Sequence, residues 1–249
     1  MIERIKLLEN LEYFCDELKK ININISEKQI EQFNMYYDML IEWNKVMNLT
    51  AIVEEMDVIN KHFVDSLLIN CIKQFEYEEN KDIKLIDIGT GAGFPGIPIK
   101  IIYPEVKVTL LDSLNKRINF LNEVINKLDL SDIETIHGRA EELGRNAKYR
   151  EQYDYVVSRA VSNLSTLSEY CIPFVKKEGY FISYKAQNSD DEVKNANNAI
   201  EKLGGKVFDD KIVTIPSTDI DRRFVVIKKV KVTDKKYPRG QGKPVKNPL

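Results

Sequence analysis

The chain has 249 residues, 43% of them hydrophobic and 31% charged, and a formal net charge of −2. That composition suits one large globular domain, or a core with a small appendage, and argues against a disordered or fibrous chain. No apolar run approaches the roughly 20 residues that span a bilayer and no signal-peptide core opens the chain, so the expected location is cytoplasmic. Cys15, Cys71 and Cys171 are isolated and odd in number, as expected of reduced thiols. With His62 and His137 the only histidines, no metal centre is expected. The net charge conceals an asymmetry. Residues 1–60 carry six Lys or Arg against twelve Asp or Glu, whereas residues 222–249 carry ten Lys or Arg against Asp234 alone. A basic terminal segment can meet phosphates whatever the global charge, or it can be a solvated tail.

Residues 1–70 read as helical. Ile2, Ile5, Leu8, Leu11, Cys15 and Leu18 recur at steps of three and four. Ser26 with Gln29 predicts a capping box, ahead of an apolar face of Ile30, Phe33, Tyr37, Leu40, Ile41 and Met47. Trp43 is expected to pack this face on the rest of the protein, and Asn48-Leu-Thr-Ala reads as a helix exit. From residue 82 strands alternate with amphipathic segments. The predicted strands are 84–88, 107–112, 133–137, 153–158, 179–184, 206–215 and 222–231, with helices at 115–128, 164–173 and 190–203. This alternation implies a doubly wound parallel sheet with ligands at the carboxyl ends of its strands. The last two strands are too closely joined for a parallel crossover and should pair antiparallel.

The densest signal is Leu85-Ile-Asp-Ile-Gly-Thr-Gly-Ala-Gly-Phe-Pro-Gly96, an apolar strand followed by four glycines in eight residues. Glycines there let the backbone turn tightly and approach a ligand closely. Asp112 ends the next strand about 20 residues on, where an acid can accept from both ribose hydroxyls of a nucleoside. Gly91-Ala-Gly93-Phe-Pro-Gly96 matches the G-x-G-x-x-G dinucleotide pattern literally, a weak signal by itself. However, the glycines begin at the strand end as Gly89-x-Gly91-x-Gly93 after Asp87, the spacing of S-adenosylmethionine (SAM) sites. Pro95 also removes an N–H that a pyrophosphate would use. SAM is therefore the expected cofactor, with a dinucleotide or a ligand-free turn as alternatives. At the third strand's exit Ala140 and Glu141 are placed to read the adenine edge. Arg159, after the fourth strand, sits where methyl donor meets acceptor, unless it serves only as an ion-pair partner of Glu141 or Asp87.

The acceptor is narrowed by elimination. No Asn/Asp-Pro-Pro-aromatic motif for exocyclic amines follows the fourth strand, where Ser158-Arg-Ala-Val161 stands instead. Cys171 reads as a core residue rather than a nucleophile for pyrimidine C5. A ring nitrogen with a free lone pair, such as guanine N7, needs neither device. Methylation of a small molecule stays open on the same grounds.

Together Trp43-Asn-Lys-Val-Met-Asn-Leu-Thr-Ala-Ile52, His62-Phe-Val-Asp-Ser-Leu67, the glycine segment through Pro98, Leu111-Asp-Ser-Leu-Asn-Lys-Arg117, Gly138-Arg-Ala-Glu141, Tyr153-Asp-Tyr-Val-Val-Ser-Arg-Ala-Val161 and Tyr237-Pro-Arg239 resemble the ribosomal RNA small-subunit methyltransferase G family (GidB). The resemblance runs over nearly the whole chain. It departs after the fifth strand, where Lys185-Ala-Gln replaces the family's frequent Lys-Gly. It implies a class I SAM-dependent methyltransferase fold, with a Rossmann-like seven-stranded sheet whose last strand is antiparallel. It further implies methylation of guanine N7 in 16S ribosomal RNA or a precursor of the small ribosomal subunit. Residues 1–70 would be a helical extension, 71–232 the SAM-binding domain and 233–249 a basic tail, in a monomer without metal. The implied cofactor contacts are Gly89, Phe94, Asp112, Ser113, Leu114, Ala140, Glu141 and Arg159, to which the loop reading adds Gly91 and Gly93. Arg159, Lys185 and His62 are candidates for aligning the acceptor with Asp65 beside them, although His62 also reads as a structural histidine. Lys185, Arg222, Arg223 and Arg239 are candidates for RNA phosphates, with Asn44, Asn48 and Lys61 behind them. A small-molecule methyltransferase and a non-catalytic RNA-binding protein that senses SAM are the competing readings.

Overall fold

The structure, a computed structural model, describes residues 9–77, 81–159 and 162–249. Ile2, Ile5 and Leu8 of the first predicted helix, and Ala160 and Val161 after the fourth strand, lie outside the described residues. The chain opens with helices α1 (Leu11–Lys20) and α2 (Glu27–Met47). Ser26 Oγ accepts from the Gln29 N–H while the Gln29 side chain accepts from the Ser26 N–H, which is the predicted capping box. Asn48 ends α2 in a left-handed conformation, as its residue type permits. The buried face of α2 is centred on Phe33, Tyr36 and Leu40; Tyr36 is fully buried and Tyr37, the expected residue, is only half-buried. Both lie within one turn of the same stripe, and residue spacing alone does not decide which is central. A helical run over 55–71 follows: α3 (Glu55–Val58), a wider π turn (Ile59–Val64), α4 (Asp65–Leu67) and a closing 3-10 turn (Leu68–Cys71).

Seven strands then form one sheet among the described residues: β1 (Lys84–Ile88), β2 (Lys107–Asp112), β3 (Ile133–His137), β4 (Tyr153–Arg159), β5 (Val175–Ala186), β6 (Gly205–Thr214) and β7 (Asp221–Lys229). Their order is β3-β2-β1-β4-β5-β7-β6; β1 to β5 are parallel and β7 runs antiparallel to both of its neighbours. The intervening helices are α5 (Gly96–Ile102), α6 (Asn115–Lys127), α7 (Ala140–Leu143), α8 (Leu164–Cys171) and α9 (Asp190–Lys202), with α10 (Lys243–Lys246) near the C-terminus. β5 starts four residues earlier than expected. Lys176, Lys177, Glu178 and Gly179 look like a turn, and Glu178 does take a positive φ of 70°, yet a register shift opposite Tyr153 and Tyr155 keeps the strand paired.

Side-chain alternation along the strands divides the core into two layers. Leu85, Leu110, Val157, Ile182, Phe224 and Val226 join the N-terminal helices, α5 and α6 on one face. Ile86, Leu111, Val156, Phe181, Val225 and Ile227 face α8 and α9 on the other, where Tyr237 of the C-terminal segment is also buried. The N-terminal helices contribute an aromatic group, Phe14, Phe33, Tyr36 and Phe63, whose rings reach Phe94 of the glycine segment. Each such buried ring stabilises the fold by about 1.5–3 kcal/mol. Trp43 meets Phe120 of α6 with ring centroids 5.6 Å apart, as expected of it. Cys171 is fully buried and its thiol is held well above its ordinary pKa by that burial, in keeping with a core residue.

One polar contact couples the helices to the loop. The buried Tyr36 hydroxyl donates to the Ala92 carbonyl at 2.5 Å. Tyr36→Phe should therefore lower stability by about 1–3 kcal/mol, since it leaves a buried carbonyl without its donor. Urea unfolding of the two proteins measures that difference, and no change would show that the contact carries nothing.

Candidate cofactor and acceptor site

The glycine segment leaves β1 with Gly89, Gly91 and Gly93 at φ 72°, 62° and 100°. They are not equivalent. A Cβ at Gly91 would meet nothing within 4 Å, so this backbone borders open space. A Cβ at Gly93 would lie 2.6 Å from Ile97 and 2.7 Å from the Tyr36 hydroxyl, so this glycine serves close packing instead. Asp87 holds the turn together. Its Oδ2 accepts from Thr90 Oγ1 at 2.7 Å and from the Gly96 N–H at 2.9 Å, while its Oδ1 is buried with no partner. Burial raises the Asp87 pKa to about 6. Asp112 at the end of β2 uses both oxygens on the backbone. Oδ1 accepts from the Leu114 N–H (2.9 Å), and Oδ2 from the Gly91 N–H (3.0 Å) and the Arg117 guanidinium (3.2 Å).

Three cavities adjoin along this edge of the sheet. The first, of about 350 Å³, is lined by Gly89, Asp112, Ser113, Ala140 and Glu141 together with Tyr170 and Gly242. The second, of about 390 Å³, shares Gly89, Asp112 and Ser113 with the first and adds Thr50, His62, Gly91, Phe94 and Arg159. The third, of about 450 Å³, shares His62 and Arg159 with the second and adds Lys61, Asp65, Tyr184, Lys185 and Arg222. A further cavity of about 400 Å³ opens among Lys84, Lys107 and Lys148 at the opposite edge, where strands begin, and takes no part in this arrangement.

The junction of the second and third cavities is built from buried ionic groups. Arg159 donates to Asp65 Oδ2 at 2.7 Å, to the Lys61 carbonyl at 3.0 Å and to His62 Nδ1 at 3.1 Å. Its ion-pair partner is thus Asp65, and neither Glu141 nor Asp87. The other Asp65 oxygen accepts from Arg222 at 2.9 Å. With Nδ1 accepting, His62 carries its proton on Nε2 and donates it to Thr50 Oγ1 at 2.9 Å. The imidazole stacks on Phe94 at 4.4 Å and 12°, and the Arg159 guanidinium lies 5.2 Å from the same ring. Burial, with the Arg159 charge second, lowers the His62 pKa to about 3. His62 is therefore neutral and engaged at both ring nitrogens.

The other anticipated residues separate. Strand alternation sends Arg222 into the third cavity and Arg223 to the opposite face, where it binds Asp210 (2.6 and 2.7 Å) and Asp190 (2.7 Å). Lys185 lines the third cavity, donating to the Ser162 carbonyl at 2.5 Å and to Glu192 at 2.6 Å. Arg239 is away from the acceptor cavity, paired with Glu169 on α8. Leu114 is outside the cavity linings and presents its N–H to Asp112. Asn44 caps the turn by accepting from the Thr50 N–H, and Lys61 pairs with Asp57. Thr50, Tyr170 and Gly242 line the site without having been singled out. Thr50 lies within the Trp43–Ile52 match, whereas Tyr170 and Gly242 carry no local signature.

The residues fit SAM. Open space at Gly91, an orphaned buried carboxylate oxygen at Asp87 and a strand-end acid at Asp112 supply room, an acceptor for an ammonium or its water, and acceptors for ribose. Together with the sheet order, they define a class I SAM-dependent methyltransferase. Among solved structures the antibiotic-resistance methyltransferase Kmr shares this fold, with a TM-score of 0.50 at 14% identity over 61% of this chain and 89% of that one. The chain belongs to the GidB family, described as rRNA small subunit methyltransferase G, whose model matches residues 29–219. It is 52% identical to the ribosomal RNA small subunit methyltransferase G of Lachnoclostridium phytofermentans, over 95% of this chain and 96% of that one. The protein of the same name from Acetivibrio thermocellus is 54% identical, with 91% of each chain covered.

Two groups give the site opposite responses to pH. An unfolded imidazole titrates near 6.5 and His62 near 3, so its stabilising contribution is complete above about 6.5 and is lost as pH falls toward 3. Asp87 rises from 3.8 to about 6, so its contribution is complete below 3.8 and is lost as pH rises through 6. Subtracting the stability of a His62→Gln variant from that of the parent isolates the histidine. The difference should climb with pH between about 4 and 6.5 by an amount on the order of a few kcal/mol, then level off. A flat difference in urea unfolding would mean that the imidazole is solvated.

Proposed function

We propose that this protein transfers the SAM methyl group to guanine N7 of 16S ribosomal RNA, as a cytoplasmic monomer without a resident metal. The observation that carries the reading is the contiguity of the three cavities. Gly89, Asp112, Ser113, Ala140 and Glu141 would hold the adenosine end of SAM, and Gly91 and Phe94 would border its amino-acid end, with the buried Asp87 behind the turn. His62, Asp65, Lys185 and Arg222 would frame the acceptor on the far side of Arg159. When bound, SAM supplies an electrophilic methyl group on a sulfonium.

The protein's own groups suit an acceptor that gives up no proton. Guanine N7 carries a lone pair and no hydrogen, so its attack needs alignment and a fixed electrostatic surrounding rather than a base. His62 is neutral with both nitrogens engaged, and Lys185 is held by Glu192, so neither is poised to abstract a proton. Arg159 is fixed on three acceptors, which makes it a rigid edge against which a base can be registered. Metal assistance is unnecessary for the same reason, as there is no water or hydroxyl to activate.

Labelled SAM and small-subunit RNA from cells lacking the protein should yield 7-methylguanosine on nucleoside analysis. Label at another atom, or on metabolites alone, would overturn the acceptor assignment. Gly91→Asp tests the cofactor cavity. Asp tolerates a positive φ and has open space at this position, so the variant should fold. Its carboxylate would enter the cavity beside Asp112, and methylation together with SAM-dependent thermal stabilisation should be lost. Retention of both would place SAM elsewhere.

A further inference from the structure

The C-terminal segment, read from its charge as a tail for phosphates, is built into the protein. Gly242, at φ 68°, lines the first cavity together with Gly89, Asp112 and Glu141. Its position follows from an anchor three residues earlier. Arg239 donates Nε to both Glu169 oxygens (2.9 and 3.1 Å), an Nη to Oε2 (2.7 Å) and its own backbone N–H to Oε1 (2.7 Å). The same guanidinium donates to the Asn247 carbonyl at 2.9 Å, closing the segment on itself. Glu169 is fully buried on α8, and the next residue, Tyr170, is a wall of the same cavity.

Further donors converge on the segment. Arg150 reaches the carbonyls of Thr233 (2.7 Å) and Tyr237 (2.8 Å), and Arg145 those of Pro238 (2.7 Å) and Lys236 (3.1 Å). The buried Thr166 hydroxyl donates to the Pro244 carbonyl at 2.9 Å. A carboxylate with no exposure needs its cation, so the Arg239 guanidinium is committed to Glu169 and is not free for a phosphate.

The geometry points to residues 233–247 acting as a clasp that completes the cofactor pocket, with Glu169 and Arg239 as the positioning pair that sets affinity for SAM. This inference rests on the placement of adenosine in the first cavity. Arg239 then acts through the wall it holds and touches neither cofactor nor RNA. The free cations of the segment are instead its exposed lysines Lys235, Lys243 and Lys246, which have no ion-pair partner among the described residues.

The test uses the double variant Glu169→Gln with Arg239→Gln, which removes the pair without stranding a buried charge. If the clasp is then closed about a tenth of the time, the dissociation constant for SAM in calorimetry rises about tenfold. KM for SAM should follow, while kcat at saturating SAM and the salt dependence of RNA affinity stay unchanged. In the unaltered protein, S-adenosylhomocysteine should slow amide hydrogen exchange over residues 240–247, a measurement that stands even if the variant folds poorly. Unchanged SAM affinity, or no protection of those amides by a ligand that does bind, would overturn the clasp. A salt slope smaller by about 0.7 with SAM affinity intact would return Arg239 to the RNA. Failure of the unaltered protein to bind S-adenosylhomocysteine would instead overturn the pocket assignment, and the clasp with it.

Discussion

Asp65 is a carboxylate with almost no exposure to solvent, yet it accepts from two guanidiniums, one at each oxygen. Taking that charge out of water costs several kcal/mol, and only well-made contacts recover it. Those contacts join three places far apart in the chain. Asp65 belongs to the N-terminal helical run, Arg159 ends β4 and Arg222 lies near the start of β7. Because β7 is antiparallel to β5, its beginning lies at the same edge of the sheet as the end of β4. The antiparallel last strand thus has a local consequence, since it delivers a second cation to the carboxylate that positions the first. Arg159 in turn supplies the proton that fixes the His62 tautomer, and its charge helps keep that ring neutral.

The N-terminal helices are accordingly part of the site and not a decoration upon it. Tyr36 braces the glycine loop through Ala92, and Phe63 and Phe94 belong to the same aromatic group. His62 and Asp65 stand on one face of the 55–71 run, three residues apart, and so reach the sheet edge together. The other end of the pocket is closed from the C-terminus, where Gly242 is held beside Tyr170. A chain that reads as core plus two appendages therefore builds its pocket from all three.

Local features were legible in the residues and long-range ones were not. The glycine spacing, Asp87 and Asp112 lie within 26 residues of one another and define their half of the site through a tight turn and short-range hydrogen bonds. The Arg159–Asp65 pair spans 94 residues and the Arg222–Asp65 pair 157, so nothing in their neighbourhoods announces either. Charge density did not tell the arginines apart. Arg222, Arg223 and Arg239 look alike in sequence, yet each meets a different carboxylate, on Asp65, Asp210 and Glu169 respectively. Pleat alternation separates the first two, but which of them faces the cavity depends on strand register, and register is a property of the whole sheet.

These committed cations bear on how such a site works. A guanidinium bound to a buried carboxylate has little conformational freedom left, so an acceptor placed against it does not have to order it. The neutral, doubly bonded His62 is fixed in the same way, with Phe94 against its ring plane. A methyl transfer to a proton-free ring nitrogen asks for this kind of surrounding, in which groups are already oriented and no proton must find a destination. A hydroxyl acceptor would need a base to take its proton. His62, at a pKa of about 3, would have to give up the Arg159 contact to do so, and the charge network around Asp65 would lose the geometry that makes it affordable to bury.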